Sequence, residues 1–252
     1  MIPRAYLSAG LFPVLLQAQA PAGRPAVKVL LHAAPPAEGG ATLDLGQLES
    51  ALGRFTADQH LPSPAPDGDG WVLQIELNSS RTPYGSLDST GHLSLMNLKA
   101  GRASAAPPGS SDLRILALDT AHLNGALADA LVRESFKLLV SARVLSADPM
   151  PDLETIHKPF LEPGGQVMDL PFSQVGVREK PTLPKAQPLG TYRFEVMADE
   201  DGRPESVRLA QAPSPMAERV GTWLLAWQFS PVQQAGHPMR TRFPIRLTFR
   251  VY

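Results

Sequence analysis

The chain of 252 residues contains no cysteine. That absence excludes disulfide staples, thiolate metal sites, a thiol nucleophile and a lipid anchor on an N-terminal Cys. A strong net charge is also missing. With 23 Lys and Arg against 24 Asp and Glu, the formal charge is −1. No global field draws such a chain to nucleic acid, and no nucleic-acid partner is expected. Catalytic signatures are lacking as well. There is no G-x-S-x-G and no P-loop, and Ser110-Ser111 has no base partner visible in the sequence. The histidines, His32, His60, His92, His122, His157 and His237, fall in no H-x-x-x-H or other zinc spacing. Asp199, Glu200 and Asp201 lack the oxygen-ligand loop of a calcium site and read as a solvated turn. No catalytic residue, metal or cofactor is expected, and an enzyme is the remotest of the functional classes.

A membrane-length apolar run is missing too. The stretch Ala5 to Leu16, roughly 12 residues, fits the ~7–15 of a signal-peptide core and falls short of the ~20 of a span. Arg4 supplies a positive start, and Ala18-Gln19-Ala20-Pro21-Ala22 supplies a small-residue cleavage region. Pro21 disfavours a cut after Ala20 and shifts it to Ala18 or Ala22. Residues 1–22 are therefore expected to export the chain to the periplasm. An uncleaved tail, weakly held at the inner membrane, is the alternative.

What the chain does have is hydrophobic residues, 43%, and 26 prolines, about double the usual ~5% share. The prolines concentrate between Asp148 and Leu189, at 149, 151, 159, 163, 171, 181, 184 and 188, where an extended, semi-rigid linker is expected. Within it, Gln166 to Phe172 is a candidate for local packing. Ahead of the linker, Val27–Ala33 reads as a strand and Asp44 as the cap of a helix with Leu45, Leu48, Leu52 and Phe55 on one face. Trp71, Leu73, Ile75 and Leu77 alternate with polar residues as in a half-buried strand. Ser79 to Thr90 reads as a polar connection with a turn at Pro83-Tyr84-Gly85. Two more strands follow, Gly91 to Lys99 and Asp112 to Leu118. Asp119 or Thr120 then caps a long helix to about Ala142. The region from Val27 to Val144 is thus an α+β unit of order β-α-β-β-β-α.

After the linker, Tyr192, Phe194 and Val196 alternate, and Asp199-Glu200-Asp201-Gly202 offers the positive φ of a tight hairpin. Glu205 to Ala210 returns as a second strand. Ser214-Pro215 opens a helix, with Glu218 in its first turn and Met216, Val220, Trp223, Leu224 and Trp227 on one face. The final strand has Phe243, Ile245, Leu247, Phe249 and Val251 on one side and Arg242, Arg246 and Arg250 on the other. At this spacing Trp223, Trp227 and Phe229 read as core, and the arginine side as a solvated face.

The segments Trp227-Gln228-Phe229-Ser230-Pro231-Val232, Gly236-His237-Pro238-Met239 and Phe243-Pro244-Ile245 resemble the W-x-F-x-P-A box, G-x-P-V turn and terminal strand of the TonB C-terminal domain family. Tyr192 to Gly202 matches that family's first strand and turn. Leu183-Pro184 stands where a Tyr-Pro is usual, Val232 replaces the usual Ala, and Met239 the usual Val. The resemblance covers roughly residues 181–252. It implies a β-β-α-β unit over residues 190–252, so that the whole chain is α+β in two small two-layer domains, 27–144 and 190–252, joined by the linker 148–189. It further implies pairing with an extended segment of an outer-membrane TonB-dependent receptor or another envelope protein. A link to an inner-membrane motor complex would make the chain an energy transducer. An envelope-assembly scaffold reusing the fold is the alternative. The expected binding edge is the last strand, with Arg242, Pro244, Arg246, Thr248, Arg250 and Tyr252 as its contact residues. Pro244 cannot donate to a ladder and suits an edge, and arginines discourage self-pairing. A homodimer pairing this strand with its own copy is the competing use of the edge.

Overall fold

A computed structural model describes residues 25–66, 68–99, 102–103, 109–145, 167–182, 189–210 and 214–250. The export segment, Leu183-Pro184, Tyr252 and most of the linker lie outside the described residues. Strand β1 (Val27–Ala33) is followed by α1 (Leu45–Asp58), β2 (Gly70–Arg81), β3 (Leu87–Lys99), β4 (Arg102–Ala103), β5 (Gly109–Ala117) and α2 (Thr120–Ser141). Then come β6 (Val167–Asp169), a 3-10 turn at Phe172–Gln174, β7 (Val177–Glu179), β8 (Gly190–Ala198), β9 (Pro204–Leu209) and α3 (Pro215–Leu224). The chain ends with β10 (Gln228–Phe229), β11 (Val232–Gln234) and β12 (His237–Phe249).

The caps behave as their residues dictate. Asp44 accepts from the N–H of Gln47, Asp119 from that of His122, and Ser214 from that of Ala217, each satisfying one orphan donor of a first turn. Gly202 closes the β8–β9 hairpin at φ +82°, and a Cβ there would stand 2.3 Å from the carbonyl oxygen of Phe229. Strands β2 and β3 run further than alternation predicts and absorb most of Ser79 to Thr90. Two of the serines in these extensions find backbone partners across the fold. Ser79 Oγ donates to the Ala41 carbonyl at 2.6 Å, and Ser89 Oγ to the Asn78 carbonyl at 2.9 Å. At the C-terminal end of α3 the chain tightens rather than continuing as helix. Trp227 N–H donates to the Leu224 carbonyl, and the indole is still buried.

Ten of the twelve described strands form one sheet in the order β1-β2-β3-β5-β9-β8-β12-β11, with β4 on β3 and β6 on β12, and β7 and β10 pair separately. The α+β class holds. The expected pair of separate small domains does not describe the architecture, because β5 pairs antiparallel with β9 through Ile115–Arg208, Leu116–Val207 and Ala117–Ser206. This joint carries the ladder from the first half into the C-terminal unit. Helices α1 and α2 cover one face of the first half, with Leu48, Leu52, Phe55, Leu127, Leu131 and Phe136 in that core. Helix α3 covers the opposite face of the C-terminal half, with Phe194, Val196, Val220, Leu224, Trp227, Phe229 and Phe243. Neighbouring residues of β5 serve both layers. Ile115 and Ala117 belong to the first core, and Leu116 to the second.

Part of the expected linker belongs to the C-terminal unit. Strand β6 lies parallel to β12 over Arg240–Arg242, the phenyl ring of Phe172 stacks on Phe243 with ring centres 6.0 Å apart, Val175 enters the core, and β7 pairs with β10. The Trp223 indole N–H donates to the Pro181 carbonyl at 2.9 Å. Pro-rich composition permits an extended strap, and its apolar residues pin that strap to the sheet.

Candidate partner-binding edge

Strand β12 pairs with β8 along Thr241–Phe249. Its other side meets β11 at His237–Met239 and β6 at Arg240–Arg242. Beyond Arg242, no described strand lies on that side. The direction of its backbone groups follows from one bond. Leu170 N–H donates to the Arg242 carbonyl at 3.0 Å, so Arg242 turns its main chain away from β8. Antiparallel alternation then turns Pro244, Arg246 and Thr248 the same way. The open segment presents the carbonyl of Pro244 and both backbone groups of Arg246 and Thr248. Pro244, the residue with no N–H, sits where no sheet donor is needed.

Side chains on this strand divide as alternation predicts, but their surroundings differ. Phe243 and Ile245 are buried under α3, and Leu247 and Phe249 are half-buried at its rim. Pro244, Arg246, Thr248 and Arg250 are exposed. Arg246 stands opposite Arg193, and Thr248 Oγ1 lies 3.1 Å from Thr191 Oγ1. The exposed Arg246 thus places a positive charge beside the open edge. Tyr252 lies outside the described residues.

Arg242 corrects the expectation of a solvated arginine face. It is 4% exposed. Its Nη1 donates to both carboxylate oxygens of Asp129 on α2 at 3.1 Å, and its Nε and Nη2 donate to Asp169 of β6 at 2.6 Å each. Burial alone would lower its pKa, but the two aspartates override it and raise the value. The covering element is α2, which lies across the sheet on the side opposite α3. The same face holds Glu195, which accepts from Arg133 at 2.7 and 2.8 Å, and Arg208, which donates to Glu134. Glu134 also accepts from Ser111 and Lys137 at 2.8 Å each. Burial would raise the Glu134 carboxyl, but Lys137, Arg208 and Ser111 together pull it down to about 2. Asp129, Arg133 and Glu134 are partners of the C-terminal strands that the sequence does not mark as such. Their only one-dimensional signal is that charged residues interrupt the apolar side of an otherwise buried helix.

Where β5 and β9 diverge beyond Arg208 and Ile115, the sheet opens into a groove of about 780 Å³. Its charged lining is internally paired. His92 Nδ1 lies 2.6 Å from Asp112, and Arg114 binds Asp88 and Glu218. Among the described residues no three His, Asp or Glu side chains converge to hold a metal ion, and no helix is long and apolar enough to cross a membrane. Comparison of the chain with family models, with curated proteins and with solved structures returns no match.

Proposed function

We propose that this is a periplasmic TonB-like protein whose C-terminal β-β-α-β unit takes up an extended segment of an outer-membrane partner by strand addition, in energy-dependent transport across that membrane. The observation that carries this reading is the one-sided pairing of β12 beyond Arg242, where Arg246 and Thr248 turn their amide groups away from β8 to a side on which no described strand lies. A partner backbone would satisfy them, and pockets on alternating positions would select its side chains. Arg246, exposed beside the open edge, favours a segment bearing acids. Such rim charges mainly speed and orient encounter. In this reading the C-terminal unit is an interaction module with no catalytic role, residues 1–22 direct export, and an inner-membrane motor is the upstream partner.

A second reading is an envelope-assembly scaffold that keeps the binding edge without transducing energy. The shared sheet and the ion pairs between α2 and the C-terminal strands favour it, because they tie the unit to the first half instead of leaving it as a mobile arm. Fractionation separates the two readings: an energy transducer co-sediments with inner membrane, and a scaffold does not.

Edge binding is tested by hydrogen exchange with and without an acidic extended peptide. Arg246 and Thr248 amides should exchange quickly in the free chain and slow on binding. Deleting Thr248–Tyr252 should abolish binding, and Arg246→Ala should slow association and flatten its salt dependence. If the two amides are already protected in a verified monomer, there is no open edge and the reading fails.

A further inference from the structure

We propose that the opposite end of the sheet is a self-association surface, on which β1 pairs antiparallel with β1 of a second copy across a two-fold axis. This end is separate from β12, so the proposal does not depend on the partner-binding reading. Among the described strands, β1 is terminal in the sheet and is paired with β2 alone. Trp71 N–H donates to the Ala26 carbonyl at 2.8 Å, and Ala34 N–H donates to the Leu77 carbonyl at 2.9 Å. Even-numbered residues therefore turn their backbone groups to β2, and odd-numbered ones turn theirs outward. The outward N–H of Val27 is taken by the Pro62 carbonyl at 2.8 Å. Among the described residues, none bonds the outward N–H and C=O groups of Val29, Leu31 and Ala33.

Three features select a second copy as the occupant. First, the outward groups are self-complementary. Pairing centred on Leu31 sets Val29 against the partner's Ala33, and Leu31 against the partner's Leu31, for about six backbone hydrogen bonds. Second, the side chains match. Val29, Leu31 and Ala33 sit partly exposed at the rim of the first core, and pairing lays the two rims together. On the other face Lys28 meets the partner's Ala34, and Leu30 meets the partner's His32, so no like charges are opposed. Third, β1 carries none of the usual guards of an open edge. It has no proline and no bulge, and its one lysine stands near its start, whereas the open part of β12 carries Pro244 and Arg246.

The absence of native cysteine makes single-cysteine variants of the full chain clean reporters. A hydrogen-bonded antiparallel pair holds its Cα atoms about 5.5 Å apart, inside the ~4.4–6.8 Å that a disulfide spans. Leu31→Cys should therefore cross-link to its own copy on mild oxidation, and Leu30→Cys, which is out of step and on the other face, should not. The unsubstituted chain should sediment as a monomer–dimer equilibrium at micromolar concentrations. Ala33→Pro removes an outward donor and leaves the β2 ladder intact, so it should weaken the dimer by about tenfold or more. A chain that stays monomeric throughout, even if β1 captures a strand of another protein, overturns the proposal. So does a dimer that Ala33→Pro leaves unchanged, since it would be built elsewhere. Should Ala33→Pro fail to fold, the cysteine pair decides. Cross-linking at 31 and not 30 supports the proposal, and equal or absent cross-linking overturns it.

Discussion

Replacing Arg242 by Met separates a buried ion cluster from a solvated strand face. The methionine keeps the aliphatic stem and deletes the charge, leaving two carboxylates behind. Asp129 is the consequential one, because its side chain is 5% exposed and cannot rehydrate in place. Breaking a buried pair by removing one partner destabilises by about 3–5 kcal/mol. Two features move this site toward the lower end. Asp129 retains Arg133 at 3.7 Å, and the Asp169 side chain is 46% exposed and returns readily to water. The expected loss is therefore about 3 kcal/mol, or about 1 M in urea midpoint for a slope of about 3 kcal/mol/M. Urea titration followed by far-UV circular dichroism and by tryptophan fluorescence measures it. Trp71 reports on the first half, and Trp223 and Trp227 on the second. Because β5 and β9 join the halves in one ladder, the two signals should move together. Arg246→Met is the control, since an exposed residue should stay within about 0.5 kcal/mol of the parent. Adding Asp129→Leu to Arg242→Met should recover part of the loss, because it removes a buried carboxylate that has lost its contact with Arg242. If Arg242→Met unfolds at the parent midpoint, or if the second substitution adds its own loss instead, the buried cluster is not holding α2 to the C-terminal strands.

Trp227→Ala should lower unfolding free energy by about 3–5 kcal/mol, because it empties a site packed edge-on by Trp223 and flanked by Phe229; a melt at the parent temperature would place the indole outside the core. Acid should act through Glu134, whose folded carboxyl, at about 2, lies below its ordinary 4.5. The depressed value means that the stabilisation is fully present above about pH 4.5 and is lost as the pH falls toward about 2. It amounts to about 3 kcal/mol. Glu134→Gln should flatten that part of the stability–pH curve, and an unchanged curve would show that Glu134 titrates normally.

Local chemistry determined a good deal. Alternation fixed which residues of β2, β8 and β12 share a face, and Asp44, Asp119 and Ser214 fixed where the helices begin. The order of strands and helix in the C-terminal unit, and the burial of Trp227, were also legible. So was the suitability of Pro244 for an edge. Tertiary structure decided what each face meets. A strand of alternating residues has two faces that its own sequence specifies equally well, and nothing local says which one another element will cover. The arginine side of β12 looked like a solvent face because its partners are remote: Asp169 is 73 residues away in the chain and Asp129 113. Remoteness along the chain hides the joint between the halves in the same way. Ile115, Leu116 and Ala117 read as an ordinary apolar strand end, and their pairing with β9 is a long-range backbone match that leaves no mark on side-chain periodicity. Periodicity registers burial along one element, whereas the architecture of this sheet depends on backbone edges, and every residue but proline supplies those in the same form.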